Sequence, residues 1–330
     1  MSVPAIEVVN LEKVYTRRGA DPVRAVDGLS FSIAPGSIFG LLGPNGAGKT
    51  TTLKILTTLI KPTAGQARIL GIDAVREPLK VRQRIAVVIQ ESAVELFLSV
   101  RDNLHTFARF HGLRGEEIDR RAGRVMAQFG LESESGKKVM DLSGGFRRRV
   151  QVAKVFMVET PVLFLDEFST GMDPILKRSV MAVLRESARQ GRTIVLTTQI
   201  LQEAEELCDD ILIVNRGREV ARGDLHTLKL LASGVYEVTI TFDRVPEGLE
   251  TELASRHPLR LSVSSTTVEI ALREPEQQVL ELVTALSKRA QVLRVEIGGA
   301  SLEDVFVQLM DRDNGGHAVS RNLDNGGGDR

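Results

Sequence analysis

The sequence predicts an α/β fold, with a parallel sheet covered by helices on both faces and a smaller α+β unit behind it. Three observations carry that reading. Gly43, Pro44, Asn45, Gly46, Ala47, Gly48, Lys49, Thr50 and Thr51 fit the pattern G-x-x-x-x-G-K-S/T. They stand between an apolar run, Ile38 to Leu42, and a helical start from Thr51 to Leu56. Two further apolar runs, Val162–Leu165 and Thr193–Leu196, enclose a helical stretch from Arg178 to Arg189. Such strand–helix alternation belongs to parallel sheets buried on both faces. Beyond Gly223 the strands alternate apolar and polar residues, as half-buried strands do.

Composition narrows the function. With 330 residues, 42% apolar and 26% charged, the chain has the balance of a globular protein with one large and one small domain. Lys+Arg and Asp+Glu each number 43, so the basic excess of a nucleic-acid binder is missing and no nucleic-acid partner is expected. Cys208 is the only cysteine; no internal disulfide can form, which suits a reducing compartment. No apolar run approaches the ~20 residues that cross a bilayer, and no signal-peptide apolar region opens the chain. A role at a membrane requires another chain to do the spanning.

In chain order, Ile6–Leu11 and Leu29–Ile33 read as strands with a turn around Arg17 to Asp21, and Pro35-Gly36 turns into the strand before the glycine-rich loop. Ile85 to Ile89 is another short strand, ending at Gln90. Residues 91–142 turn helical: Asn103, Leu104, Phe107, Ala108, Phe110 and His111 fit one helix, and Ile118, Ala122, Val125, Met126 and Phe129 make the stripe of a second. Phe146 to Val158 is an amphipathic helix, and Arg147-Arg148-Arg149 on it is read as a solvated or interfacial face. Ile211–Val214 and Glu219–Ala221 form a hairpin over Asn215 to Arg218. Residues 1–228 are thus the large domain, with Ser233-Gly234 as its boundary. Residues 234–310 follow in the order β-α-β-β-α-β, a ferredoxin-like unit, and Ser301 to Asp304 starts a last helix in the manner of a capping box. The tail 311–330, rich in Asn and Gly, is expected to be disordered.

The chemistry follows from three segments. Glycines in the 43–51 loop let backbone N–H groups turn around an anion, and the helix start adds partial positive charge. Lys49 would reach the β- and γ-phosphates of a nucleoside triphosphate, and the Thr50 hydroxyl would ligate Mg²⁺. Asp166 and Glu167 end an apolar strand; one carboxylate can hold the metal through water and the other can polarise the attacking water. Leu142, Ser143, Gly144 and Gly145 precede a helix, which by itself means an N-cap and, beside the other two segments, a second anion site.

These segments occur in the order found in an ATP-binding cassette (ABC) ATPase: the phosphate loop, Gln90, Leu142–Gly145, Asp166-Glu167, Ser169 to Asp173, and Leu196-Thr197-Thr198. The resemblance covers about Ile6 to Gly223. The C-terminal unit, ending in Ser301-Leu302-Glu303-Asp304-Val305-Phe306, resembles the one on ATP-binding subunits of daunorubicin-resistance-type exporters. The resemblance implies ATP and Mg²⁺ as cofactors. It implies that Tyr15 stacks on adenine, that Gln90 contacts Mg²⁺ or the attacking water, that Asp166 holds the metal and that Glu167 is the catalytic base. Ser143, Gly144 and Gly145 would touch the γ-phosphate held by an opposite protomer, and Asp173 would sit at the seam. Two copies, or one copy and a paralogue, would close two composite sites. The helices of 91–142 would receive an integral membrane permease subunit, keeping the chain cytoplasmic at the inner face of the membrane.

Three positions depart from the family pattern: Phe146 where Gln is usual, Phe168 where Pro is usual, and Gln199 where a histidine normally contacts the γ-phosphate. Glutamine donates a hydrogen bond but carries no charge. Hydrolysis is therefore expected to be slow but real. A degenerate cassette with little turnover and a non-transport cassette protein are the rival readings.

Overall fold

The computed structural model describes residues 3–17, 19–89, 93–231, 235–246, 248–274 and 276–310. Gln90, the Ser233-Gly234 boundary and the tail 311–330 lie outside the described residues. The chain forms two compact units that divide between Arg222 and Gly223. The Asp224-capped helix Leu225–Leu230 thus groups with the C-terminal unit, whereas the sequence reading ended the large domain at residue 228.

The large unit is built on a six-stranded sheet. Its order is Arg218–Gly223, Asp210–Asn215, Ile38–Leu42, Thr193–Thr198, Val162–Asp166, Ile85–Val88. The last five of these pair in parallel. Ile38–Leu42, Val162–Asp166 and Thr193–Thr198 are buried at every position, as expected where both faces are covered. Register aligns their carboxyl ends: Leu42 lies beside Thr198, and Asp166 beside Thr197. Everything that follows those ends therefore gathers at one edge of the sheet, where open α/β sheets bind ligands. Gly40, inside the central strand, leaves the notch that Cys208 fills, since a Cβ there would lie 2.7 Å from its Sγ. Cys208 is buried, and burial pushes its thiol pKa far up.

A second, antiparallel sheet (Ala20–Ile33, Ile6–Arg17, Ala64–Ile69, Ile72–Asp73) shares a core with the first, with Phe31 stacked on Phe39 at 5.4 Å. Its two long strands exceed the Ile6–Leu11 and Leu29–Ile33 segments read from sequence, because the polar ends also pair across the hairpin. The predicted hairpin over Asn215 to Arg218 forms with positive φ at Arg216 (48°) and Gly217 (82°), the signature of a type I′ turn. The helical layer contains Val100–Phe110, capped by the Ser99 hydroxyl, and Glu116–Gln128. It reaches past Leu142, since helix Gly144–Lys154 packs against Val100–Phe110.

In the C-terminal unit the order Val235–Phe242, Leu249–Ala254, Arg260–Val263, Thr267–Arg273, Glu276–Ser287, Val292–Gly299 is β-α-β-β-α-β. Its antiparallel sheet runs Arg260–Val263, Thr267–Arg273, Val235–Phe242, Val292–Gly299. Val238, Ile240 and Phe242 form its core with Leu249, Leu253, Val279 and Leu282. Ser301 and Asp304 cap the helix at 302–310 reciprocally: the Asp304 carboxylate accepts from Ser301 N at 2.9 Å, and the Ser301 hydroxyl accepts from Asp304 N at 3.2 Å.

Candidate active site

The phosphate loop leaves the central strand at Leu42 and enters helix Lys49–Leu56. Two glycines are required by close approach as well as by backbone. Gly43 has φ 156°, and a Cβ there would stand 2.2 Å from the Val214 carbonyl oxygen. Gly48 has φ 105°, and its Cβ would stand 2.3 Å from that of Ala25. Both sheets thus press on the loop and fix its path. Asn45 and Gly46 are exposed at its tip, while buried Ala47 donates to the Pro44 carbonyl at 3.1 Å and accepts from Gly217 N at 2.9 Å. The first-turn N–H groups of Lys49, Thr50 and Thr51 have no preceding helical turn to bond, and no carboxylate occupies that turn. Such an arrangement fits phosphate groups.

Lys49 is 94% buried by its 6% exposure, and its Nζ donates to the carbonyls of Gly43 (2.7 Å) and Pro44 (3.0 Å). Burial holds its pKa below the ordinary lysine value, opposed by the nearby charges of Glu167 and Asp166. That pair of carboxylates, predicted from the strand end, lies within electrostatic reach of the loop lysine. Asp166 is buried and accepts a hydrogen bond from the Thr197 hydroxyl. Glu167 adopts φ 48°, a left-handed backbone that costs a non-glycine residue of order 1 kcal/mol or more. Its N–H donates to Thr197 O at 3.0 Å, and its carboxylate accepts from Gln199 Nε2 at 2.5 Å. Gln199 therefore holds the general-base candidate directly. Among the described residues no group of three or more His, Cys, Asp or Glu could hold a metal by itself. One carboxylate, Asp166, with the Thr50 hydroxyl and phosphate oxygens, is the kind of donor set that Mg²⁺ takes.

Arg148 corrects the reading of Arg147-Arg148-Arg149 as a solvated face. Its guanidinium is buried and donates to the carbonyls of Ile89 (2.8 Å), Asp166 (2.5 Å), Glu167 (2.8 Å) and Phe168 (3.0 Å), and to Gln151 Oε1 at 2.9 Å. Burial lowers its pKa, against the attraction of Asp166 and Glu167. Arg147 and Arg149 also bond backbone carbonyls, of Leu142 and Met140 and of Phe129 and Gly130. Helical spacing was the available signal, because Arg148 shares a stripe with Gln151, Val152 and Val155.

Glu203 was also missed. Its carboxylate is fully buried and accepts from the hydroxyls of Ser169 and Thr198 (2.8 Å for the latter), with Lys177 Nζ 3.3 Å away. It ties the segment after Glu167 to the one carrying Gln199. Its place beside Ala204 and Leu207 on one helix face was the sequence signal.

Ser143 and Gly144 are exposed at the start of helix Gly144–Lys154, where the Ser143 hydroxyl caps the Phe146 N–H at 3.4 Å. Gly145 packs on the next segment, since a Cβ there would meet the Gly171 oxygen at 2.7 Å. The Asp173 carboxylate caps helix Pro174–Arg189, accepting from Leu176 N at 2.9 Å. Tyr15 is 39% exposed in the antiparallel sheet opposite Val23, with Lys13 Nζ 5.2 Å from its ring centre.

The family model for ABC transporters matches residues 26–170. Nod factor export ATP-binding protein I of Ralstonia nicotianae (strain ATCC BAA-1114 / GMI1000) is 37% identical over 315 residues, 94% of this chain and 95% of that protein. Daunorubicin/doxorubicin resistance ATP-binding protein DrrA of Streptomyces peucetius is 35% identical over 308 residues, 92% of each. Among solved structures, an ATP-binding subunit of an ABC transporter is 29% identical with a TM-score of 0.62, covering 68% of this chain and 92% of that one. The dimeric post-hydrolysis state of the cassette MJ0796 bound to ADP and Pi is 25% identical with a TM-score of 0.62, covering 67% and 98%. Phosphate loop, carboxylate pair and relatives agree: the chain belongs to the ABC transporter family, as an ATP-binding ATPase subunit.

Proposed function

We propose that this subunit powers export of a drug-, antibiotic- or lipid-like substrate through a separate integral membrane permease. Two copies, or one copy and a paralogous cassette, close head to tail around two Mg²⁺·ATP. Each phosphate loop then faces Ser143, Gly144 and Gly145 of the other chain, with Asp173 near the seam and Tyr15 against adenine. Lys49 and the first-turn N–H groups would hold the phosphates, Thr50 and Asp166 would hold Mg²⁺, Gln90 would contact the metal or the attacking water, and Glu167 would take the proton of that water. The observation that carries the reading is the Glu167–Gln199 hydrogen bond beside the loop lysine, because it orients a carboxylate next to a phosphate cradle. The export side rests on the relatives named for Nod factor export and for daunorubicin resistance. No described helix is long and apolar enough to cross a membrane, which fits a division of labour with a permease.

Phosphate release by the purified chain tests the chemistry. Glu167→Gln should abolish turnover while ATP is still bound, and Gln199→Ala should slow it by about 10²-fold, the scale of one lost transition-state contact. Turnover of the native chain no higher than that of Glu167→Gln would sink the hydrolytic roles. Co-purification with a polytopic membrane protein tests the transport role, and recovery with ribosomes or DNA alone would overturn it.

A further inference from the structure

Among the described residues, the strand Val292–Gly299 closes the C-terminal sheet at one edge and pairs on one side, with Val235–Phe242. Such edges are blunted by lysine, proline, other charges or bulges; 292–299 has neither lysine nor proline, and carries one register shift, between Val292 and Arg294. Val295 and Ile297 stand beside the core residues Ile240 and Val238 on the core-bearing face, left partly open at this edge: Leu293 is 61% exposed, Val295 37% and Ile297 41%. Between them Arg294 and Glu296 project to the other face, paired with each other along the strand.

The sequence of this edge is self-complementary. Turned end for end about Val295, Leu293-Arg294-Val295-Glu296-Ile297 maps apolar onto apolar and basic onto acidic. We propose that Val292–Gly299 pairs antiparallel with the same strand of a second copy of this chain, the two-fold axis passing through Val295. Leu293 then lies opposite Ile297 of the partner subunit, and Arg294 opposite Glu296 of the partner subunit, each pair occurring twice. Isologous contacts require that self-match. Cross-strand apolar and opposite-charge pairs are the interactions that stabilise an antiparallel ladder. The contact needs no nucleotide, so it would hold two subunits together whether or not the ATP-gated faces have closed.

Oxidative cross-linking of the full chain without nucleotide tests this. Cys208 is buried, so an introduced thiol reports alone. Val295→Cys places two thiols opposite each other, with Cβ atoms about 5 Å apart. Two copies of Leu293→Cys would be offset by four residues, roughly 13 Å along the strand. Val295→Cys is expected to form disulfide dimers at least about tenfold faster than Leu293→Cys. Adding Arg294→Glu or Glu296→Arg alone should slow it about tenfold, since like charges then face each other. Both reversals together should restore it. All four side chains are exposed, and an unchanged thermal transition of the C-terminal unit verifies the fold of each variant. Equal rates at 293 and 295, indifference to the single reversals, or failure of the double reversal to restore cross-linking would overturn the proposal.

Discussion

Arg148 shows how much one side chain can organise. Its bonds to the carbonyls of Asp166, Glu167 and Phe168 hold the backbone on which the carboxylate pair stands, and removing it takes a charged donor out of a buried site, although Ile89 O keeps Gln151 Nε2 and Glu167 O keeps Thr170. Arg148→Ala is expected to destabilise the large unit by about 3 kcal/mol or more, read as a lower midpoint in urea. Arg148→Lys should recover only part of that, because an ammonium cannot reproduce the planar fork. A midpoint unchanged by the alanine variant would show that the guanidinium is dispensable. Glu167 makes a different point at the same scale. The left-handed φ of 48° is a strain that only a surrounding scaffold maintains, and the scaffold here is Arg148, Thr197 and Gln199.

Among the elements, the hairpin turn at Arg216-Gly217 is locked to the long strand Ala20–Ile33 through Asp27. The Asp27 N–H donates to Gly217 O at 2.8 Å, and its carboxylate meets Arg218 at 2.6 Å and Arg24 at 3.0 Å. The Arg218 guanidinium, with Arg24, holds the Asp27 pKa below the ordinary 3.8. A carboxylate with a lowered folded pKa adds stability that is complete above its unfolded pKa and lost as pH falls through the folded one. Asp27→Asn should therefore be less stable than the native chain near neutral pH, and the gap should close below about pH 4. Thermal melts across that range would show it, and a gap that does not narrow as pH falls below about 4 would refute the assignment. Elements were the most legible part of the sequence, because each central strand is a continuous apolar run and each helix a 3.6-residue stripe. Strand ends were less so: Arg17 and Asp21 read as the bounds of a turn but belong to paired strands. The phosphate loop was legible because its residues are contiguous. Arg148 and Glu203 were not, because most of their partners lie 18 to 59 residues away, and a charge read along the chain says nothing of the face it occupies.

The whole molecule divides into two units with separate cores, one around Phe39, Phe164 and Leu212 and one around Val238, Ile240 and Phe242. Two heat-absorption transitions are expected in calorimetry. ATP binds the first unit, so ATP at 100 times its Kd should raise that transition alone, by the equivalent of about 2.7 kcal/mol. A single transition moving as one would mean that the units unfold together.

The helix that begins with Ser143, Gly144 and Gly145 also carries Arg148, and Arg148 grips the strand end that carries Asp166 and Glu167. In the proposed head-to-tail pair, the first of these segments serves one ATP and the second serves the other. One guanidinium then makes a single lever of parts that belong to two different reaction centres. A shift on cleavage at one centre would then reach the other through the interior of a chain.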